Sequence, residues 1–318
     1  MNIFISGGAG FIGSHLSKKM IESSDLNTLV IYDNFSSGTL RHLADLAENS
    51  RVIIKNADIK NLAELTHAMG DCDIVVHFAA NPDIAKAVSQ PDIDFWEGTF
   101  LTQNILEAMR VNGVKKILYT SGSGVYGESD GTIFSESFGP CFPISTYGAS
   151  KLACEALISS YCHMFGMQGR AFRFANVVGP VQTHGVGYDF IRRLKSNPNE
   201  LRILGDGTQC KSYIHVDDVI NAMMLVLYNF NNDVCFDVYN VATDDYITVT
   251  EIAGVACKVA GLDPTMVNYK YTGGDRGWKG DVPKVLFNVT KIKQLGWIAE
   301  RTSFQAIEAS IKAMIDEI

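Results

Sequence analysis

Residues 2–13 read NIFISGGAGFIG: an apolar run of strand character, then glycines at Gly7, Gly10 and Gly13, then the start of a segment with helical period. A strand that turns on glycine straight into a helix is the entry of a βαβ unit, and each glycine has a separate reason. Gly7 permits the tight turn, Gly10 removes a β-carbon where a pyrophosphate would approach, and Gly13 lets the helix pack closely on the strand. The second half of the pattern lies at Asp33, which ends the apolar run TLVIYD 20 residues past Gly13. A carboxylate there accepts from the hydroxyls of an adenosine ribose and repels a 2′-phosphate, so the pair predicts NAD in preference to NADP.

Working outward, short β-rich runs alternate with helical segments: TLVIYD, RVIIKN followed by NLAELTHAMG, DIVVHFAA followed by a helix near 95–112, then KKILYT, the helix 147–165 and the strand GRAFRFANVVG. This rhythm predicts an α/β fold, a Rossmann-type doubly wound parallel sheet buried on both faces. Beyond Asn176 the rhythm breaks into glycine-rich pieces such as LGDGTQC and TGGDRGWKGD, mixed with short helices. HVDDVINAMMLVLYNF and DVYNVA read as a helix and strand returning to the first sheet. The expected division is therefore an NAD-binding domain of residues 1–175 and 213–243, with a smaller, interleaved C-terminal α/β substrate domain of 176–212 and 244–318. The last helix is expected to bury Phe304, Ile307, Ile311 and Ile315 on one face.

Composition narrows the function. With 47% hydrophobic and 19% charged residues among 318, the chain can bury one large core or two unequal ones. A net charge of -8 without any basic stripe argues against a nucleic-acid partner. The seven cysteines are odd in number and include no CxxC pair, so neither a disulfide framework nor a metal site is indicated. No stretch reaches the ~18 apolar residues of a membrane span, and the expectation is a soluble, cytoplasmic protein without a membrane partner.

Two further groups carry chemistry. In STYGASK, Tyr147 and Lys151 stand four apart at a helix start and so share a face. An ammonium about 4 Å from a phenolate stabilises it by roughly 4 kcal/mol at an effective dielectric of 20, enough to make a tyrosine a usable proton acceptor. Upstream, the strand KKILYT runs out into TSGSGVYG, residues 120–127, which offers the hydroxyls of Ser121 and Ser123.

Together GGAGFIG, HFAA, VYG, YGASK and YIHVDD resemble the extended short-chain dehydrogenase/reductase family over nearly the whole chain, and DNFSSG, AANPD, LGDGTQ and GGDRGWKGDVP are similar to its UDP-glucose 4-epimerase group. The resemblance implies a nucleotide-sugar epimerase that withdraws a hydride to NAD, passes through a 4-keto sugar and returns the hydride to the other face. It makes Tyr147 the acid/base and gives Lys151 the nicotinamide ribose as well. Around NAD it places Gly7, Gly10, Phe11, Ile12, Gly13, Asp33, Asn34, Ser37, Gly38, Asp58, Ile59, Phe78, Ala79, Ala80 and Phe174. Around the nucleotide sugar it places Ser123, Asn176, Leu204, Lys211, Arg276, with Lys279 a rival for the same clamp because the loop has extra residues, and Val285, whose small side chain leaves room for an N-acetyl group. A homodimer through the helices near 95–112 and 147–165 is also implied.

The chain departs from the pattern where it matters. The family's catalytic serine or threonine falls at Gly122, which leaves Ser123 or Ser121 to supply the hydroxyl. Related 4,6-dehydratases carry an Asp-Glu pair where this chain has Ser123 and Gly124. A nucleotide-sugar 4-epimerase is the leading expectation. The alternatives are a 4-dehydrogenase or reductase, an atypical dehydratase, and a protein that binds NAD without turnover.

Overall fold

A computed structural model describes residues 1–230 and 233–316. Its central sheet has seven strands: β1 (Asn2–Ser6), β2 (Thr28–Asp33), β3 (Val52–Asn56), β4 (Ile74–His77), β5 (Lys116–Gly122), β6 (Gln168–Phe174) and β7 (Phe236–Val241). Their order is β7-β6-β5-β4-β1-β2-β3. β1 pairs in parallel with β2 and with β4, β2 with β3, and β4 with β5. The chain thus winds outward from β1 through β2 to β3, then crosses back to β4 on the other side of β1. That reversal opens a crevice beyond the carboxyl ends of β1 and β4, the usual ligand position in such sheets.

The strands read as nearly continuous apolar runs because both sheet faces are covered. Helices α1 (Phe11–Ile21), α2 (Leu62–Ala68), α3 (Phe100–Asn112) and α4 (Thr146–Phe165) follow β1, β3, β4 and β5 in sequence. On one face Phe4, Val75 and Ile117 of the strands join Leu65, Ile105, Met109 and Ile158 of the helices in a single core, each wholly buried. Full burial of such a side chain contributes about 1.5–3 kcal/mol. α3 is entered through a π-helical turn, Phe95–Thr99, so the helix expected near 95–112 is present with one wider turn at its start.

Two compact units divide the chain: residues 1–125, 146–173 and 223–239 form the first, and 126–145, 174–222 and 240 onward the second. These bounds differ from the expected ones chiefly at 126–145. Within the second unit Gly127 bridges to Phe142, and Ile133–Phe134 pairs with Leu286–Phe287. Tyr126 stacks on Phe134 at 4.6 Å, and Asn240 donates to the Phe134 carbonyl. The run GRAFRFANVVG also divides: it ends as β6 at Phe174 and resumes at Asn176–Val178, which pairs with Tyr213–His215.

Helices Val186–Ser196, Val249–Val259 and Ser303–Met314 share the second core through Phe190, Ile191, Ile252, Ala256, Ile307 and Ile311. Phe304 is 45% exposed, against expectation. The stripe that faces the core runs through Ser303, Ala306, Ile307, Ser310, Ile311 and Met314, and Phe304 lies at its edge.

Candidate active site

The glycine turn has the shape its spacing predicts. Gly7 adopts φ +71°, and a β-carbon there would stand 2.7 Å from the Ala79 nitrogen. At Gly13 it would stand 2.3 Å from the Gly7 carbonyl oxygen. At Gly10 it would meet only that same oxygen, at 3.3 Å, so the outer side of the loop is clear for a ligand. Gly10 begins α1 without a side-chain cap, and the first-turn N–H groups of Phe11, Ile12 and Gly13 form the anion-favouring end of the helix.

Asp33 braces this cradle. One of its oxygens accepts from the Ala9 N–H at 2.9 Å and the other from the Phe35 N–H at 2.8 Å. Each oxygen keeps lone-pair capacity for a ribose hydroxyl. Gly38 lies against the same loop, where a β-carbon would be 2.7 Å from the Ala9 carbonyl carbon. Asn34 donates to Asp58 at 3.2 Å, and the Ile59 carbonyl accepts from Asn104 at 3.0 Å, which fixes the far rim. Phe78 continues β4 by donating to the Ser6 carbonyl, and Ala79 faces Gly7. Ala80 follows directly, while Ser37 makes no side-chain hydrogen bond among the described residues and Phe174 is buried at the end of β6. A dinucleotide fits the turn, since what a β-carbon would fill on the inner side is backbone and what remains outside is open.

Tyr147 and Lys151 sit one turn apart on α4. Lys151 is 6% exposed, donates to the Thr120 carbonyl at 2.7 Å, and lies 5.1 Å from the Tyr119 ring centre and 5.6 Å from that of Tyr147. A buried ammonium is tolerated when a carbonyl and aromatic faces replace its water. Its charge is felt at His77, whose Nδ1 meets Ser6 at 2.7 Å and Nε2 meets Thr102 at 3.0 Å. Burial first, and Lys151 second, push the His77 imidazole down to about 3. His77 is therefore a neutral strut between β1 and α3.

The two serines of TSGSGVYG separate here. Ser121 is buried and donates to Glu155 at 2.6 Å; Glu155 is held in turn by Arg173 through two bonds, at 3.0 and 2.7 Å. That hydroxyl is committed to a buried ion pair between α4 and β6. Ser123 opens a 3-10 turn, Ser123–Val125, and its hydroxyl makes no hydrogen bond among the described residues; neither does the Tyr147 hydroxyl. A β-carbon on Gly124 would lie 3.4 Å from the Gly148 Cα, so this turn rests on the first turn of α4 beside Tyr147. A β-carbon on Gly122 would meet nothing within 4 Å.

The second unit gathers the expected cations. Lys211 donates to Asp281 at 2.5 Å, Arg276 donates to the Asp281 carbonyl at 2.9 Å, and Arg276 also pairs with Glu128. The Gly277 N–H donates to the other Asp281 oxygen at 3.1 Å. Leu204 adjoins this loop, for a β-carbon on Gly277 would be 3.9 Å from its own. Asn176 heads the strand Asn176–Val178, whereas Val285 is only 5% exposed, so a larger side chain there would require repacking. Asp281 and Glu128 are absent from the sequence reading, although the GD of GGDRGWKGDVP signals the first.

Residues 3–242 match the model of the NAD dependent epimerase/dehydratase family. A relative described as a putative UDP-glucose 4-epimerase of Methanocaldococcus jannaschii is 30% identical over 94% of this chain and 93% of its own length. A solved UDP-galactose 4-epimerase superposes with a TM-score of 0.88 at 35% identity, covering 100% of both chains. The UDP-glucuronic acid 4-epimerase of Bacillus cereus, solved with UDP-glucuronic acid and NAD, gives 0.89 at 26% identity, again over 100% of both. The glycine turn, the braced Asp33 and the Tyr147–Lys151 pair stand within the matched segment, and the chain belongs to the NAD dependent epimerase/dehydratase family, with NAD as its cofactor.

Proposed function

We propose that the chain is a nucleotide-sugar 4-epimerase and that a UDP-hexose is its substrate. The observation that carries this reading is the pair of uncommitted hydroxyls, Tyr147 and Ser123, beside a buried ammonium at Lys151, with no carboxylate at positions 123 and 124. Elimination of water from a sugar needs a positioned acid and base. Epimerisation needs one proton acceptor and a reversible hydride, and NAD, when bound, would supply the latter.

Tyr147 removes the proton of the 4-hydroxyl and later restores it. Lys151 stabilises the phenolate by charge, and its remaining N–H groups are available to the ribose hydroxyls of the cofactor. Ser123 holds the sugar oxygen in line. Asn176 and Leu204 contact the nucleotide sugar, while Lys211 and Arg276 receive its diphosphate, exchanging Asp281 and Glu128 for phosphate oxygens. Lys211 contributes charge and Arg276 a planar fork. A second copy of the chain is expected to cover Phe95 and Trp96, which are 52% and 45% exposed at the entry to α3. Light scattering that finds a monomer at micromolar concentration would remove that assignment.

Incubation with UDP-glucose, UDP-galactose, UDP-N-acetylgalactosamine and GDP-mannose, followed by NMR of the products, tests the whole reading. The 4-epimer of a UDP sugar is expected. Accumulation of a 4-keto product would make the chain a dehydrogenase if the 6-hydroxyl is kept and a dehydratase if it is lost, and absence of any product would leave an NAD-binding protein.

A further inference from the structure

Asp94 is a carboxylate taken almost wholly out of water, 2% exposed, in the segment that leads into the π-helical turn Phe95–Thr99. Its two oxygens serve different elements. One accepts from Asn81 Nδ2 at 2.9 Å and the other from Thr146 Oγ1 at 2.7 Å, while its backbone carbonyl accepts from Ser150 Oγ at 2.7 Å. Asn81 follows Phe78–Ala80 at the end of β4 and is itself fixed through both polar atoms of its amide to Asp83. Ser150 also meets Thr99 Oγ1 at 2.9 Å and fills the space beside Gly98, where a β-carbon would be 2.4 Å from its oxygen.

Burying a carboxylate costs free energy unless donors replace its water. Here the carboxylate's donors are the Asn81 amide and, from the helix, the Thr146 hydroxyl rather than a terminal N–H group, so this is not an ordinary cap. Thr146 and Ser150 are four residues apart and form one stripe of α4; Tyr147 and Lys151 form the next stripe, about 100° around the axis. Pinning the first stripe fixes the rotation of the helix about its own axis, and with it the direction of the second. We propose that Asp94 is the positioning residue for the acid/base helix, a bracket that sets Tyr147 and Lys151 relative to the cofactor end of β4 through Asn81. The inference rests on Tyr147 as the proton acceptor.

Asp94→Ala opens the bracket. Because misplacement of a reacting group by about 1 Å can cost ~10²-fold, kcat is expected to fall about 10- to 100-fold, with KM and NAD affinity held within ~3-fold. Asp94→Asn should recover most of that loss, since its oxygen still accepts from Asn81 and its amide can donate to Thr146 Oγ1. Thr146→Val removes one contact and keeps the shape; it should lower kcat, and combined with Asp94→Ala it should cost no more than Asp94→Ala alone. Amide hydrogen exchange supplies a readout without substrate: peptides covering 143–153 should exchange about tenfold faster in Asp94→Ala while those covering β1 are unchanged. Additive losses, an effect confined to KM, or unchanged exchange at 143–153 would overturn the bracket. If Asp94→Ala does not fold, Thr146→Val decides, and normal kcat with normal exchange there would sink the proposal. If the wild type epimerises no sugar, the enzyme reading fails while the exchange comparison still judges Asp94.

Discussion

Ser121→Ala and Ser123→Ala should fail in opposite ways. Ser121 donates to a buried carboxylate, and a hydrogen bond to a charged group contributes about 1.5–3 kcal/mol. Glu155 keeps its two bonds from Arg173, so the lower part of that range applies. Ser121→Ala should therefore lower the melting temperature by roughly 2–5 °C and leave kcat/KM within about threefold. The Ser123 hydroxyl has no bond to lose among the described residues, so its removal should leave the melting temperature within about 1 °C of wild type. If its hydroxyl orients the sugar oxygen, the same 1.5–3 kcal/mol is lost from the transition state, about ten- to hundredfold in kcat. Calorimetry and steady-state epimerisation of UDP-galactose on both variants make the comparison. Loss of rate without loss of stability in Ser121→Ala, with Ser123→Ala silent, would reverse the two roles; rate unchanged in both would mean that Tyr147 works unaided.

Tyr147→Phe should retain NAD, measured by calorimetry, while turnover falls by about 10²- to 10⁴-fold, as for loss of a general acid/base; a smaller loss would remove Tyr147 from that role. Asp33→Ala should relax the preference for NAD over NADP and weaken both, because the Ala9 and Phe35 N–H groups lose their acceptor together; undiminished NAD affinity would contradict the brace. His77 gives a pH signature. An imidazole that is neutral in the fold down to about 3 but titrates near its ordinary value of 6.5 when unfolded makes the unfolded state bind the extra proton between those limits. Stability from this group is complete above about 6.5 and falls as pH drops, by about 1.4 kcal/mol per unit, or about 2 kcal/mol at pH 5. Urea midpoints at pH 7 and 5 should show that loss, and His77→Gln, though less stable at pH 7, should lack this part of it.

The parts of this site that are legible in the sequence are those whose meaning is local. Gly7, Gly10, Gly13 and Asp33 are tied by the length of one βαβ turn, and Tyr147 and Lys151 by one turn of helix. The choice between Ser121 and Ser123 is not local: it is made by Glu155, 34 residues from Ser121, and by Arg173 beyond it. Asp94 escapes notice for the same reason: its partners lie 13 and 52 residues away, and although Asn81 stands in AANPD and Thr146 in STYGASK, nothing in either run points to position 94. The fold rhythm is read well where strands are covered on both faces. It fails at 126–145, where two-residue pairings across the chain decide the grouping, and at Phe304, where a helical stripe read from large apolar residues overlooks the alanine and serines that do the packing.

Lys211 and Arg276 carry their own counter-ions. With Asp281 and Glu128 already seated on them, a diphosphate arriving as proposed would gain no bare cations; it would compete with anions tethered at high local concentration. Free phosphate, which offers charge and nothing else, has little to gain from that exchange. A nucleotide sugar brings a base, a ribose and a hexose to the same event, and their contacts can tip it. If these cations receive a diphosphate as proposed, an internal competitor of this kind would make them selective: it would set a threshold that only a molecule with further points of recognition can pass, and would keep the site clear of the small anions that surround it.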